Sequence, residues 1–111
     1  MPDLEVPHSQ GASVEIAAEA DGMQLQIVEL APGGRIPLHT HGRPHTIVVI
    51  RGTGRETASG KAYSRGDHAL FGAHQPHGWE NTGAEAFSFA SSSAGPGLLH
   101  SGRKIWDLTP V

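Results

Sequence analysis

An all-β fold, closed into a small barrel or jelly roll, is what this sequence predicts, and three observations predict it. No window longer than about ten residues keeps a helical apolar period free of Gly or Pro. Several short stretches are β-branched or alternate in polarity, as strands do. Fifteen Gly and eight Pro among 111 residues cut the chain into pieces of strand length. Roughly eight to ten short strands in one small unit must close on themselves or form two packed sheets, because an open sheet leaves edges and a face exposed.

The elements follow in order. Val14 to Ala18 is a candidate edge strand. Residues 22–30 place Met23, Leu25 and Ile27 on one face and Gln24 and Gln26 on the other, the period of two of a half-buried strand. A break is expected at Ala31-Pro32-Gly33-Gly34. A second strand reads from His45 to Arg51 and ends at Gly52-Thr53-Gly54. Arg55 to Ala58 and Lys61 to Ser64 form a hairpin turning at Ser59-Gly60, and short strands follow near 68–71, 77–81 and 85–90. Residues 91–102, rich in Ser and Gly with Pro96, read as a loop or flexible arm. Lys104 to Leu108 offers a last strand.

Composition excludes several functions. A chain of 111 residues is the size of one domain, so a single domain over 1–111 is expected. Eight Lys and Arg against eleven Asp and Glu leave a net charge of −3 without a basic cluster, which argues against nucleic acid and anionic lipid as partners. Cysteine is absent, so disulfides, thiolate metal sites and a cysteine nucleophile are excluded together. The longest aliphatic run, Ile47 to Ile50, is far short of a membrane span, and Met1 to Glu5 lacks the charge and apolar core of a signal peptide. A cytoplasmic location is the default expectation. There is no Gly-x-Ser-x-Gly elbow, no phosphate loop and no His-Glu-x-x-His helix, and Gly52-Thr53-Gly54 is explained by a strand turn.

The chemistry lies in the histidines. His39 and His41 are two apart, so on an extended strand both imidazoles face one side and can grip one ion. His45 follows across the turn Gly42-Arg43-Pro44 and shares a face with Ile47 and Val49. His77 lies 32 residues further on, after Pro76, and opens a strand in which Trp79 and Asn81 share its face. Three ligands clustered locally and one brought back by the fold is a recurrent way to build a metal site. His8, His68 and His100 have no such register and are expected at the surface or in loops, whereas His74 is placed to rim the pocket.

The run Gly33-x5-His39-x-His41-x3-His45-x6-Gly52 resembles the first motif of the cupin family, and Gly66-Asp67-x8-Pro76-His77-x3-Asn81 resembles the second. Together they span residues 33–81, and the resemblance implies a single cupin jelly-roll barrel. It also implies a metal site whose ligands are His39, His41, His45 and His77. The sequence departs from the family pattern twice: His45 stands where Glu is usual, and Ser64 where Pro is usual.

One divalent transition metal (Fe, Mn, Ni, Cu or Zn) is therefore expected, since imidazole suits all of them. Four neutral imidazoles leave the formal site charge at about +2, which strengthens Lewis acidity toward oxygen chelates. Six-coordination would leave two adjacent positions, enough for a bidentate substrate or for substrate plus dioxygen. The leading functional expectation is a metal-dependent small-molecule oxygenase of dioxygenase type. The alternatives are a redox-neutral lyase or isomerase, and a non-catalytic small-molecule binder. The missing Glu removes the obvious general base; Glu56, Asp67 and Glu80 are unconvincing substitutes, and His74 remains a candidate.

A mostly apolar pocket is expected from strand parity, walled by Ile47, Val49, Phe71 and Trp79, with His74 at its rim and Phe87 or Phe89 as core neighbours. Arg35 shares the parity of His39 on a straight strand and could meet a substrate carboxylate, although Pro37 invites a bulge. Thr46, Asn81 and backbone carbonyls are candidate acceptors for the ligands' second ring nitrogens. A homodimer is expected, covering edges such as Val14 to Ala18 or Ile105 to Leu108.

Overall fold

The computed structural model describes Val6, residues 8–94 and residues 109–110. Among these residues there is no α-helix, and nine strands form a nearly closed antiparallel barrel. They are β1 (Gln10–Ala20), β2 (Met23–Thr40), β3 (His45–Arg51), β4 (Thr53–Glu56), β5 (Ala62–Ser64), β6 (His68–Phe71), β7 (His77–Asn81), β8 (Phe87–Ala94) and β9 (Thr109–Pro110). Pairing runs β5-β4-β7-β2-β8-β3-β6, with β1 and β9 also on β2.

Strand β2 organises the barrel. Its first part, 23–30, pairs with β1 on one side and β8 on the other; its second part pairs with β7 through Arg35, Ile36 and His39, and with β9 through His39 and Thr40. The expected break at Ala31 to Gly34 is instead a corner within one continuous strand. Gly33 has φ +77°, and a side chain on Gly34 would lie 2.8 Å from the Ala31 carbonyl oxygen and 2.9 Å from that of Gly11. At the corner the strand changes partners, pairing with β8 up to Leu30 and with β7 from Arg35.

Two other expectations change. The alternation over 22–30 is present, but Gln24 and Gln26 are buried while Met23 and Leu25 are exposed. Parity explains it: Val28 and Leu30 enter the deep core, and a period of two carries 26 and 24 inward with them. Residues 91–94, expected as loop, continue β8, pairing with Met23 to Gln26 on β2 and partly with β3. The rest of that predicted loop and the strand predicted over 104–108 lie outside the described residues. The hairpin forms as β4 and β5, and the strands at 68–71 and 77–81 form at the expected positions.

The inward positions of β2, β8 and β3 are stacked in layers by register. Leu30 lies opposite Phe87, Val28 and Val49 flank Phe89, Gln26 and Ile47 flank Ser91, and Gln24 and His45 flank Ser93. One end of the barrel is therefore apolar and the other polar. Trp79 anchors the apolar end, with ring centroids 5.1 Å from both Tyr63 and Phe89 and 5.8 Å from Phe87. At van der Waals separations these rings contribute the packing that holds the two halves together.

Candidate metal centre

The histidines emerge at the polar end. His39 sits near the end of β2, where it pairs with His77 at the start of β7; His41 follows in the connection to β3, which His45 opens. All four are buried, none more than 5 % exposed. A register shift between Ile36 and His39, around Pro37, turns His39 inward. That bulge also corrects the expectation for Arg35, which lies exposed beside Glu80 and cannot meet a substrate in the barrel.

His39, His41 and His77 each offer a ring nitrogen within 4.8 Å of the other two. His45 flanks them, its ring centroid 5.0 Å from those of His41 and His77. The Nδ1 atoms of His39 and His77 lie 2.9 Å and 2.8 Å from the carbonyl oxygens of Pro37 and Gln75. A carbonyl only accepts, so each Nδ1 carries the proton and each Nε2 is left as a lone pair. Those two Nε2 atoms are buried and have no hydrogen-bond partner. Neutral imidazoles held through Nδ1 with Nε2 turned to a shared space are the donor set a divalent transition metal takes. His45 is held through Nδ1 by Ser91 Oγ at 2.9 Å.

Electrostatics keep these rings neutral. Burial first, and then the neighbouring His77, lower His39 to about 4. Burial and the charges of His77 and His39 lower His41 to about 3, and burial with the charges of His77, His41 and His39 lowers His45 to about 2. Burial also lowers His77, against the upward pull of the Gln75 carbonyl and Glu56.

Around the rings, Phe71 stacks on His77 at 4.8 Å and lies 5.5 Å from His45, while Trp79 lines the inner cavity. Ile47 and Val49 face inward and belong to the core cluster. The cavity is mostly apolar, as expected, walled by Val28, Ile36, Trp79 and Phe89, with Gln26 and Ser91 also lining it beside His39, His45 and His77. Its enclosed space holds roughly one water. His74 is exposed with φ +59°, donates its backbone N–H to the His41 carbonyl at 2.7 Å and lies against Gly42, at the edge of the ligand loop.

The candidate acceptors divide. Backbone carbonyls hold His39 and His77, but Thr46 is exposed and Asn81 is used elsewhere, its Nδ2 donating to the carbonyls of Leu30 and Glu85. Among the carboxylates, Glu80 pairs with exposed Arg55, and Asp67 accepts the Ser64 backbone N–H at 2.9 Å. That turn bond is one a proline at 64 could not make. Glu56 is buried and accepts from Ala58, Ser59 and Gly78, which ties β7 to the β4–β5 turn beside His77. Gln24, Gln26 and Ser91 were not singled out as site residues by sequence reasoning. The signal available for the glutamines was their shared parity with Val28 and Leu30.

The family model for the cupin domain matches residues 26–92. The chain is a cupin. A germin-like protein, subfamily 3 member 3, of Arabidopsis thaliana is 41 % identical over 90 residues, which cover 70 % of this cupin and 43 % of that relative. The chain thus spans less than half the length of that relative. Among solved structures, the polyketide cyclase RemF from Streptomyces resistomycificus superposes with a TM-score of 0.81 at 18 % identity, covering 100 % of this chain and 79 % of that one. KdgF from Halomonas sp. gives 0.68 at 18 % identity, covering 78 % and 84 %. At these identities the structural likenesses establish the jelly-roll fold.

Proposed function

We propose that this cupin binds one divalent transition metal through His39, His41, His77 and His45 and acts on a small molecule that chelates through oxygen. The observation that carries this is the pair of buried Nε2 lone pairs on His39 and His77, fixed by carbonyls at their Nδ1 atoms. When bound, the ion supplies Lewis acidity, undiminished by any anionic ligand among the four. The chain's own part is to hold the four imidazoles neutral and to keep bulk water from the small cavity that Gln26, Ser91 and Trp79 line beside them.

Two reactions suit such a centre. A redox-neutral conversion, such as a cyclisation, elimination or isomerisation, is favoured by four neutral imidazoles with no carboxylate grouped with them among the described residues, and fits the name of RemF, a polyketide cyclase. A dioxygenase-type reaction suits a centre that leaves room for substrate and oxygen together. Elemental analysis of the purified protein beside His39→Ala and His77→Ala variants tests the centre: near-stoichiometric metal in the parent and a loss of tenfold or more in the variants is expected. Turnover that is equal with Zn under nitrogen supports the redox-neutral reaction, whereas oxygen uptake seen with Fe, Mn, Ni or Cu and lost with Zn supports the oxygenase. A protein that takes up none of these metals at neutral pH overturns both. In this proposal two copies pair through the outward rows Leu25–Ser92–Thr46–Leu70 and Ile27–Ala90–Val48–His68 of β2, β8, β3 and β6.

A further inference from the structure

Between β6 and β7 the chain passes beside the histidines in five residues, Gly72-Ala73-His74-Gln75-Pro76. This short connection reaches two of them through its backbone. The His74 N–H donates to the His41 carbonyl at 2.7 Å, and the Gln75 carbonyl accepts from His77 Nδ1 at 2.8 Å. A backbone group aims a ring only as well as the backbone itself is held. Burial does not hold it here, because residues 73–76 are exposed. Nor does intrinsic preference, because His74 has φ +59°, a left-handed conformation that is costly for a residue with a side chain.

The Gln75 side chain supplies the missing restraint. Its Oε1 accepts the Gly72 N–H at 2.8 Å, a shorter bond than the one from the Gln75 N–H to the Gly72 carbonyl at 3.2 Å. The turn is therefore closed in both directions, with Gly72 donating and accepting across it. Pro76 adds a limit of its own, disfavouring helical backbone at Gln75. The Gln75 carbonyl is left aimed at His77 Nδ1, and a proton kept on Nδ1 is a proton kept off the buried Nε2. We infer that Gln75 is a positioning residue for the histidine centre: its side-chain acceptor fixes the turn whose carbonyl holds His77 in the Nδ1–H tautomer and whose His74 N–H ties down the connection carrying His41. The consequence for metal uptake rests on the metal-centre reading above, whereas the consequence for the His77 tautomer does not.

The test compares the parent with Gln75→Met, which keeps the side chain's length and loses the acceptor, with Gln75→Ala as a second variant lacking it, and with Gln75→Glu, which restores it. Gln75 is exposed, so none of these empties the core. Long-range proton–nitrogen NMR on metal-free protein at neutral pH reads the His77 tautomer, and Co(II) titration followed by visible absorbance reads affinity. The parent is expected in the Nδ1–H form. Gln75→Met and Gln75→Ala are expected to mix in the Nε2–H form and to bind cobalt about tenfold more weakly, the low end for losing a group behind a metal ligand. Gln75→Glu is expected to return both readouts to the parent's. A parent-like tautomer in the variants without the acceptor overturns the inference, as does a parent-like cobalt affinity there or a loss that Gln75→Glu shares. A parent that takes up no cobalt overturns the metal-centre reading alone, and the tautomer comparison then decides the role of Gln75.

Discussion

At the scale of single residues, burial and hydrogen bonding set the charge state of the site and hence its response to acid. In metal-free protein the folded histidines bind protons with values lowered to about 4, 3 and 2 for His39, His41 and His45, against 6.5 when unfolded. The unfolded chain therefore takes up more protons as pH falls below 6.5, and stability falls with it. Each such histidine contributes a slope of up to about 1.4 kcal/mol per pH unit, so denaturant midpoints should drop steeply between pH 6.5 and 4. A midpoint that is flat across that window would contradict neutral burial. Glu56 adds a later step: burial raises its carboxyl, the bonds from Ala58, Ser59 and Gly78 more than offset that, and its net value lies below 4.5. Its contribution is present above pH 4.5 and is lost as pH falls through the lowered value. The histidines were legible because three of them lie within seven residues, where strand geometry acts locally. The glutamines were not, since alternation tells two faces apart without telling which is inside; Met23, Leu25 and Ile27 looked like the buried set.

At the scale of elements, β7 carries His77 and is clamped between β2 and β4. Gly78 makes this approach possible, since a side chain there would meet Thr57 Oγ1 at 2.7 Å, the Ile36 carbonyl oxygen at 2.9 Å and the Leu38 nitrogen at 2.9 Å. Gly78→Ala must push β7 off its neighbours, with an expected loss of about 2 kcal/mol in chemical denaturation and weaker metal binding through a displaced His77. Glu56→Gln replaces an acceptor-only group facing three backbone N–H donors and a hydroxyl, and is expected to lose about 2 kcal/mol. Wild-type stability in either variant would mean that the clamp does not hold the ligand strand. Strand positions here followed from alternation and turn residues, but the corner in β2 did not. Pro32 and two glycines look the same in sequence whether a strand stops or bends.

At the scale of the whole molecule, the barrel has one face that water does not suit. Met23, Leu25, Val48, Ile50 and Leu70 are exposed on the outside of β2, β3 and β6. Between Leu25 and Leu70 the paired outward positions are Ser92 and Thr46, and between Ile27 and His68 they are Ala90 and Val48. These rows hold no Asp, Glu, Lys or Arg, so a two-fold pairing sets like against like without charge repulsion. The contact proposed here is a sheet face, whereas the sequence pointed to strand edges for the same pairing. Leu70→Glu is expected to convert a dimer to monomer in analytical ultracentrifugation while leaving cobalt uptake intact. A parent protein that is monomeric at about 100 μM would remove this contact, since a standard interface of roughly 800 Å² per partner binds more tightly than that.

The uneven spacing of the proposed ligands has a thermodynamic consequence. His39, His41 and His45 stay close together even in an unfolded chain, whereas His77 joins them only when β7 docks. A metal can thus be captured before folding, and any affinity for the unfolded chain subtracts from what binding adds to stability. In the proposed centre the linkage between metal and folding is carried by His77, 32 residues beyond His45. Losing His77 should therefore shrink the metal-induced rise in Tm more than it shrinks metal uptake.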